Sequence, residues 1–398
     1  MTRFFGTVSR GVRAPIIREG DNIVDIVVDS VWQAHEGENT PFRDKDVICV
    51  TEAVVARAQG NYATIDEIAE DVRQKFPSGE IGLIFPILSR NRFSVNLRGI
   101  ARGVKKIHLL LPYPSDEVGN QLISEHDLED AKLNPWQDLL TLEQYREYFG
   151  QNLHPFTGVD YIDLYQSIAR EEGCEMDVYL ANDPTAILRY VKDVLTCDIH
   201  SRHRTKKLLE EAGAETLYNL EDILSEPIGN SGYNPQYGLL GSNKSTEESV
   251  KLFPHDCQGV VEEISRRLSE KSGKKIEAMI YGDGAFRDPV GKIWELADPV
   301  VSPAFTAGLE GVPHEIKLKY LADNDFADLK GQALDDAIKE AIRIKDENVK
   351  AQAEVLRLGT TPRRITDLLG SLADLTSGSG DKGTPIIWIQ GYFDDLTD

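Results

Sequence analysis

A glycine-rich loop that runs directly into an apolar strand constrains this chain more than any other stretch of its sequence. Residues 376–392 read TSGSGDKGTPIIWIQGY, and residues 385–390 form the apolar part. The loop contains three glycines, one acid and one base, namely Gly378, Gly380, Gly383, Asp381 and Lys382. Glycine accepts positive φ angles and close backbone approach, so successive N–H groups of such a loop can point at one anion. The pattern predicts a phosphate-binding loop at a strand end, with an ordinary turn as the alternative.

Length and composition indicate a globular protein of two or more domains. The chain has 398 residues, of which 41% are hydrophobic and 28% charged. No apolar run approaches the roughly 18 residues that a membrane-spanning helix needs, and the first residues contain no apolar signal segment. The four cysteines are far apart and form no CxxC pair. We therefore expect a cytoplasmic protein with reduced thiols and no membrane partner.

The net charge of −22 argues against nucleic acid as a partner, because a strongly acidic protein repels polyanions. One basic stretch departs from this pattern. Residues 90–106 hold six basic side chains and no acid. A charge run is usually a solvated face, but in so acidic a protein this one could also hold a nucleotide or a carboxylate substrate.

The first 119 residues alternate helical and strand patterns. Predicted helices cover residues 23–32, capped by Asp21 or Asn22, and residues 64–76, where Thr64 and Glu67 form a capping box. Apolar runs predict buried strands, and we place strands over residues 47–51, 84–88, 93–97 and 107–111.

Four stretches of this half resemble the coenzyme F420-0:L-glutamate ligase family. They read GVRAPIIREGDNIVDIV, DVICVTEAVVARAQG, FPILSRNRFSVN and HLLLPYPSDEVG. Near the other end, RRITDLLGSLADL followed by TSGSGDKGTPIIWIQG is similar to the family's C-terminal run. The resemblance implies an α+β or α/β fold with mixed sheets, packed helices and a two-lobed ligase core. It also makes the glycine-rich loop the family's nucleotide loop.

A third matching segment carries a candidate metal ligand. An apolar strand over residues 276–281 runs into the sequence GDGAFRD. By resemblance, Asp283 corresponds to the family's metal-binding aspartate, and Arg287 lies near its arginine. An aspartate at the end of a buried strand is well placed to hold Mg²⁺ or Mn²⁺ against a phosphate. The alternative is an Asp-Gly turn that joins two strands.

Two long segments depart from the family pattern. We interpret residues 120–254 as an inserted helical lobe and residues 300–360 as an inserted helical segment, with a long helix over residues 334–358. The ligase core then comprises residues 1–119 together with residues 255–299 and 361–398.

Two motifs inside the first insertion remain ambiguous. Residues 238–246 read GLLGSNKST, which could hold a phosphate or carboxylate but lacks the P-loop spacing and could equally be a surface turn. Cys197, His200 and His203 could suggest a metal site, but their spacing favours a helix with basic residues.

The family resemblance implies a ligase that joins L-glutamate to a carboxylate of an acidic acceptor, using GTP (or ATP) and Mg²⁺ or Mn²⁺. The acceptor carboxylate would first become an acyl phosphate, which the amine then attacks. A homodimer is implied as well. Two alternatives stay open, namely a folate-type γ-glutamyl ligase and a non-catalytic protein that binds a nucleotide or metabolite.

Position by position, the resemblance assigns candidate site residues. The nucleotide-binding set is Ala14, Pro15, Ile16, Ile17, Arg57, Ser377, Gly378, Ser379, Gly380, Asp381, Lys382, Gly383 and Thr384. The catalytic candidates are Asp283, Arg98 and Arg102, and the metal candidates are Asp283 and Asp381. The substrate candidates are Asn96, Ser242, Lys244 and Arg287. The family's second metal aspartate meets Ala101 here, and a family hydroxyl pair meets Glu52 and Ala53.

Overall fold

The computed structural model describes residues 4–90, 92–154, 158–282, 298–313, 317–347, 363–378 and 380–395. Its strands are β1 (Val8–Val12), β2 (Asp46–Thr51), β3 (Tyr62–Thr64), β4 (Glu80–Ile84), β5 (Lys106–Leu111), β6 (Leu140–Thr141), β7 (Glu175–Leu180), β8 (Asp193–Thr196), β9 (Thr216–Asn219), β10 (Asn243–Thr246), β11 (Ser249–Lys251), β12 (Ile276–Tyr281), β13 (Ala304–Phe305) and β14 (Ile386–Gln390). Its α-helices are α1 (Ile23–Gly37), α2 (Glu52–Gln59), α3 (Ile65–Lys75), α4 (Phe93–Gly103), α5 (Glu125–Ala131), α6 (Leu142–Phe149), α7 (Tyr161–Glu171), α8 (Arg202–Ala212), α9 (Cys257–Ser272), α10 (Leu318–Tyr320), α11 (Gln332–Glu347) and α12 (Ile365–Ser377).

The first sheet has five strands in the order β1-β14-β2-β12-β13. β2 and β12 are parallel neighbours, and the other pairs are antiparallel. Helices α1 and α9 pack on one face around Val27, Val261 and Trp388, whereas α12 covers the other face with Leu369 and Ala373. Since both faces are covered, the central strands are buried and mainly apolar, as in a sheet between helix layers.

The second sheet has six strands in the order β6-β7-β5-β4-β8-β9, of which only the edge strand β6 runs antiparallel to its neighbour. Helices α3, α4 and α7 cover one face and share a large apolar core. Helix α8 and a 3₁₀ turn, Pro184–Arg189, cover the other face. Each large sheet with its covering helices is called a unit below, the first unit containing the five-stranded sheet and the second the six-stranded one. A small third sheet has the strand order β10-β11-β3, and its strand β3 directly follows α2 of the first unit.

The predicted mixed α/β class is confirmed, and so are the caps of two helices. Asn22 accepts hydrogen bonds from the N–H groups of Val24 and Asp25 at the start of α1. Thr64 and Glu67 form the reciprocal capping box of α3. The four cysteines are free and buried, in agreement with the expected reduced thiols.

The strand that we predicted over residues 93–97 is wrong, because this segment begins helix α4. Apolar residues recur there at helical spacing, and the helix packs closely on α3. Gly99 makes the approach possible, since a Cβ at this position would lie 2.6 Å from the Cβ of Ile68. The strand predicted over residues 84–88 is also wrong except at Ile84, because the strand β4 covers Glu80–Ile84 and Phe85 follows with φ of 55°.

The prediction that residues 120–254 form a helical lobe is wrong as well. This segment contributes β6, β7, β8 and β9 to the same sheet as β4 and β5. Its strands are only two to six residues long and several carry polar side chains, so their pattern was weak in the sequence. The long helix predicted over residues 334–358 is described through Glu347, and its remainder lies outside the described residues. The proposed division into domains stays a prediction.

In the described part of the chain, no helix has both the length and the apolar character needed to cross a membrane.

The close contact between α3 and α4 leads to a stability prediction. Gly99→Val should lower the free energy of unfolding by about 2 kcal/mol or more, because the added side chain overlaps Ile68 in a packed interface. Gly259→Ala in α9 is the control, since a Cβ there meets nothing within 4 Å and should stabilise the helix by up to about 1 kcal/mol. Thermal unfolding measures both, and equal melting temperatures would contradict the packing argument.

Candidate active site

Four strand ends meet at one edge of the first sheet. β2 and β12 run parallel, so their carboxyl ends, Thr51 and Tyr281, lie side by side. β14 runs antiparallel to β2 and therefore starts at this edge, where Ile386 pairs with Val50. β1 is antiparallel to β14 and ends here at Val12. Carboxyl ends of parallel strands are the common location of ligand sites in such sheets.

A cavity of about 440 Å³ opens at this edge. Three chain segments and the end of β12 form its walls: Ala14, Pro15, Ile16 and Ile17 after β1; Thr51, Glu52, Val54 and Arg57 in and before α2; Asp374, Ser377, Gly378, Gly380, Gly383, Thr384 and Pro385 around the glycine-rich loop; and Tyr281 and Gly282. The volume lies within the range of small-molecule sites.

Backbone hydrogen bonds hold the glycine-rich loop against the other walls. The Ala14 N–H donates to the Gly383 carbonyl at 3.1 Å, and the Thr51 N–H donates to the Pro385 carbonyl at 3.0 Å. Inside the loop, the Thr384 hydroxyl donates to the Ser377 carbonyl at 3.1 Å. Gly378 and Gly383 have φ of 61° and 65°, which glycine adopts without strain.

Two helix ends of opposite polarity face the cavity. α2 begins at Glu52 on the cavity wall, and the Thr51 side chain makes no capping bond to its first turn. The first N–H groups of α2 therefore supply partial positive charge there. α12 ends at Ser377 and supplies partial negative charge. The Lys382 side chain lies against Gly378, next to that negative end.

The cavity wall also carries a buried ion pair. The Glu52 side chain is only 7% exposed, and the Lys251 side chain of β11 is 13% exposed. The Lys251 ammonium donates to both carboxylate oxygens of Glu52, at 3.3 and 3.1 Å. Nearby, Arg57 is exposed, and its guanidinium forms no ion pair with another described residue. The site thus contains a carboxylate that is paired with a lysine, and an arginine that has no ion-pair partner within the described ranges.

Tyr281 places a buried hydroxyl at the end of β12. The residue is 2% exposed, and its hydroxyl makes no hydrogen bond of ordinary geometry to a described residue, although Ser377 lies close by. Burial raises the pKa of the Tyr281 phenol above its usual value, Ser377 opposes this shift, and the charges of Asp374 and Glu52 add to it. The hydroxyl is therefore neutral and can donate.

Most of the predicted nucleotide-binding residues lie together on this cavity wall. The exceptions are Ser379, which is outside the described residues, and Asp381 and Lys382, which are exposed on the 3₁₀ turn Gly380–Lys382. Asp283 and Arg287 also lie outside the described residues, so their predicted roles stay predictions. Within the described ranges, no group of three or more His, Cys, Asp and Glu side chains is arranged to hold a metal ion.

The structure does not bring Arg98 and Arg102 to the cavity. Both belong to α4, on the second sheet, and both bind Glu172 through their Nε atoms, at 2.9 and 2.8 Å. Arg102 also pairs with Asp66 at 2.8 Å. These pairs fix α4 against its neighbouring helices, and neither of the two predicted catalytic arginines lines the cavity.

Three of the four predicted substrate residues, Asn96, Ser242 and Lys244, are not on the wall of the large cavity, and the fourth, Arg287, lies outside the described residues. Asn96 donates to the Ser242 hydroxyl at 2.9 Å, and both side chains are buried. They border a small, mainly apolar cavity of about 20 Å³, which has room for one water molecule. Lys244 pairs with Glu247 on an exposed turn. Ala101, where the family carries an aspartate, is buried in the helix layer of α3 and α4.

Sequence reasoning assigned no site role to four polar residues of the cavity wall, namely Thr51, Glu52, Asp374 and Tyr281. The signal for two of them was present. Glu52 follows the predicted strand over residues 47–51, and Tyr281 ends the predicted strand over residues 276–281. Strand ends of a parallel pair are where site residues accumulate, so the two positions could have been chosen once the pairing was assumed.

The unpaired Tyr281 hydroxyl yields a stability prediction. Tyr281→Phe should leave the melting temperature unchanged or raise it, because a buried hydroxyl without a partner costs about 1–3 kcal/mol. Tyr165→Phe is the matched control. The Tyr165 hydroxyl donates to the Ile87 carbonyl and accepts from the Ser89 N–H, both at 3.1 Å, so its loss should destabilise the fold by a similar amount. Equal losses in both variants would contradict the assignment.

Two comparisons with known proteins complete the description of the site. A search of curated proteins found no match to the chain. The family model described as F420-0:Gamma-glutamyl ligase matches residues 11–391, a range that includes every described wall of the cavity. The chain therefore belongs to the F420-0:gamma-glutamyl ligase family.

Proposed function

We propose that this chain is a nucleotide-dependent ligase that joins L-glutamate to a carboxylate of an acidic acceptor through an acyl phosphate. The observation that carries the proposal is the convergence of the Ala14–Ile17 segment, Arg57 and the glycine-rich loop on one cavity. These segments are far apart in the sequence, and the family resemblance assigns each of them to nucleotide binding.

The chemistry requires little from side chains. A carboxylate does not react with an amine at neutral pH, so a phosphoryl group must first convert it to an acyl phosphate. The amine nitrogen then forms a bond to the acyl carbon, and phosphate leaves. Catalysis of both steps rests on positioning and on neutralising charge at the phosphoryl oxygens.

Several groups of the cavity suit a bound nucleotide. The first-turn N–H groups of α2 and the glycine-rich loop can donate to phosphate oxygens. Arg57 and Lys382 are exposed at the rim and supply positive charge there. The neutral Tyr281 hydroxyl can donate to an oxygen in the interior. Apolar surface for a base is offered by Ile16, which is 80% exposed at the cavity.

We propose GTP (or ATP) as the nucleotide, with Mg²⁺ or Mn²⁺ bound by Asp283 and Asp381. Among the described residues no complete protein cage exists, which fits a cation held by one or two carboxylates, phosphate oxygens and water. Such a cation neutralises phosphate charge during transfer. Glu52 is less suitable, because Lys251 already compensates its charge.

The decisive experiment measures phosphate release from GTP or ATP with each substrate omitted in turn. A ligase releases phosphate only when L-glutamate and an acceptor are both present, and mass spectrometry then detects the amide product. Deazaflavin-precursor and folate acceptors distinguish the two ligase alternatives. Tight nucleotide binding without turnover in any mixture would identify a sensor and end the ligase proposal.

A variant of the rim tests the nucleotide site directly. Lys382→Ala should weaken nucleotide binding about tenfold, because a cation beside phosphate contributes about 1–2 kcal/mol in a partly exposed site. The control is Lys207→Ala, since Lys207 is 72% exposed on α8 and pairs only loosely with Glu211. Titration calorimetry with a non-hydrolysable nucleotide analogue measures both affinities. An unchanged affinity in the Lys382 variant would exclude its role at the phosphates.

The family resemblance further supports a cytoplasmic homodimer as a proposal. Analytical ultracentrifugation of the full chain tests the oligomeric state.

A further inference from the structure

The buried hydroxyl of Tyr281 is a polar group of the cavity that the described residues leave without a partner. Tyr281 lines the cavity although it is only 2% exposed, so its side chain belongs to the inner end and not to the rim. Its hydroxyl makes no hydrogen bond of ordinary geometry to a described residue. The hydroxyl of nearby Ser377 already donates to the Asp374 carbonyl, at 2.8 Å. Buried polar groups without partners are rare in folded proteins, and each one calls for an explanation.

The hydroxyl lies at the negative end of helix α12. This helix ends at Ser377, and the carbonyl oxygens of a last helical turn have no intrahelical partners. Burial is the main cause of the raised pKa of the Tyr281 phenol, and the charge of Asp374 adds to it. A ligand group at this place therefore meets a neutral hydroxyl that can donate, together with carbonyl oxygens that can accept.

The surroundings of the hydroxyl narrow the choice of ligand group. A phosphate or carboxylate oxygen could accept from Tyr281, but it would add negative charge beside Asp374 and the end of α12. An ammonium group or a metal ion has no lone pair with which to accept the phenolic proton. An alcohol hydroxyl is neutral, and it can accept one hydrogen bond while it donates another. The inner end of the cavity therefore suits an alcohol.

Given the proposed nucleotide-dependent function, on which this inference rests, we propose that the Tyr281 hydroxyl donates to a ribose hydroxyl of the bound nucleotide and makes the site selective for ribonucleotides. Tyr281 is the register partner of Thr51, the residue that precedes α2. A ligand group at Tyr281 is therefore close to one bound at the first turn of α2, where we place phosphate oxygens. In a nucleotide, the sugar is the group joined directly to the phosphates.

This role gives Tyr281 an unusual combination of effects on stability and binding. In the free protein the unpaired hydroxyl costs free energy, and a ribose hydroxyl would remove that cost on binding. Tyr281→Phe removes the same cost without any ligand. The variant should therefore melt no lower than wild type and still bind a ribonucleotide more weakly. A purely structural hydroxyl would give the opposite pair of results.

The test combines the protein variant with nucleotides that lack one ribose hydroxyl. Titration calorimetry with Mg²⁺, and without L-glutamate or acceptor, measures the binding of GTP, 2′-deoxy-GTP and 3′-deoxy-GTP to wild type and to Tyr281→Phe. We expect wild type to bind one of the two deoxynucleotides about three- to tenfold more weakly than GTP, the effect of one neutral hydrogen bond. Tyr281→Phe should lose the same factor for GTP and show no further loss with that deoxynucleotide. The same series with ATP covers the other base.

Tyr165→Phe is the matched control. The Tyr165 hydroxyl is buried as well, but it lies in the second unit and has two partners, the Ile87 carbonyl and the Ser89 N–H. This variant should melt lower than wild type. It should keep both the affinity for GTP and the preference for the ribose hydroxyl, because Tyr165 is not on the cavity wall.

Three results would overturn the inference. If the loss caused by the missing ribose hydroxyl is the same in wild type and in Tyr281→Phe, that hydroxyl is bound elsewhere. If Tyr281→Phe weakens the binding of inorganic triphosphate as much as that of GTP, the phenol contacts the phosphates. If GTP affinity is unchanged and only the KM for the acceptor rises, the phenol contacts the acceptor.

The inference and the ligase proposal fail on different observations. None of the titrations requires turnover, so a wild type that binds GTP and prefers the ribose hydroxyl supports the inference even when no amide is formed. Amide formation at equal rates with GTP and with both deoxynucleotides would leave the ligase proposal standing and overturn the inference alone.

Discussion

The parallel pairing of β2 with β12 is the constraint on which the rest of the site depends. It sets the carboxyl ends of two strands side by side, with Thr51 and Tyr281 in register. The antiparallel insertion of β14 next to β2 then brings the glycine-rich loop to the same edge. Each wall of the cavity follows from strand direction, and only the last details, such as the Ala14–Gly383 hydrogen bond, depend on individual contacts.

Two helix ends contribute partial charges of opposite sign to the cavity, positive at the start of α2 and negative at the end of α12. An anion that approaches a strongly acidic protein meets its repulsive field, and at this cavity the N-terminal end of α2 and two exposed cations oppose that field locally. Two acidic groups of the wall contribute little net negative charge. Glu52 is neutralised from behind by Lys251, and the phenol of Tyr281 stays protonated because it is buried. The partial positive charge at the start of α2 therefore favours an anionic ligand at this edge of the sheet.

Much of the site was predictable from the sequence, whereas the second sheet was not. The glycine-rich loop could be chosen because motifs record local backbone needs, and glycine at positive φ is such a need, whereas the Ala14–Ile17 segment was assigned by the family resemblance alone. Helix α4 was missed because FSVNL also fits a short strand, and only the contact of Gly99 with Ile68 shows why a helix forms there. The four short strands of residues 140–219 depend on partners distant in sequence, so no local pattern announces them.

Arg98 and Arg102 show the limit of arguments from charge. A basic run in an acidic chain suggested an anion site. In the structure, however, Glu172 lies between these two arginines and forms an ion pair with each of them within the helix layer. Glu172 is 70 residues or more away in sequence. A count of charges in one stretch of sequence does not include acidic residues that folding brings next to it. A basic cluster in the sequence therefore does not show that the folded protein has a positive surface there.

The position of β14 has a consequence for synthesis of the chain. β14 lies inside the first sheet, where Gln390 pairs with Val8 and Ile389 pairs with Val47. The second sheet uses only residues from 80 to 219, so it can assemble while translation continues. The first sheet must wait until β14, the last of its described strands along the chain, leaves the ribosome, because β1 and β2 cannot meet their shared partner earlier. A chain that lacks β14 therefore has no complete cavity wall, and the cavity can form only after β14 has been made.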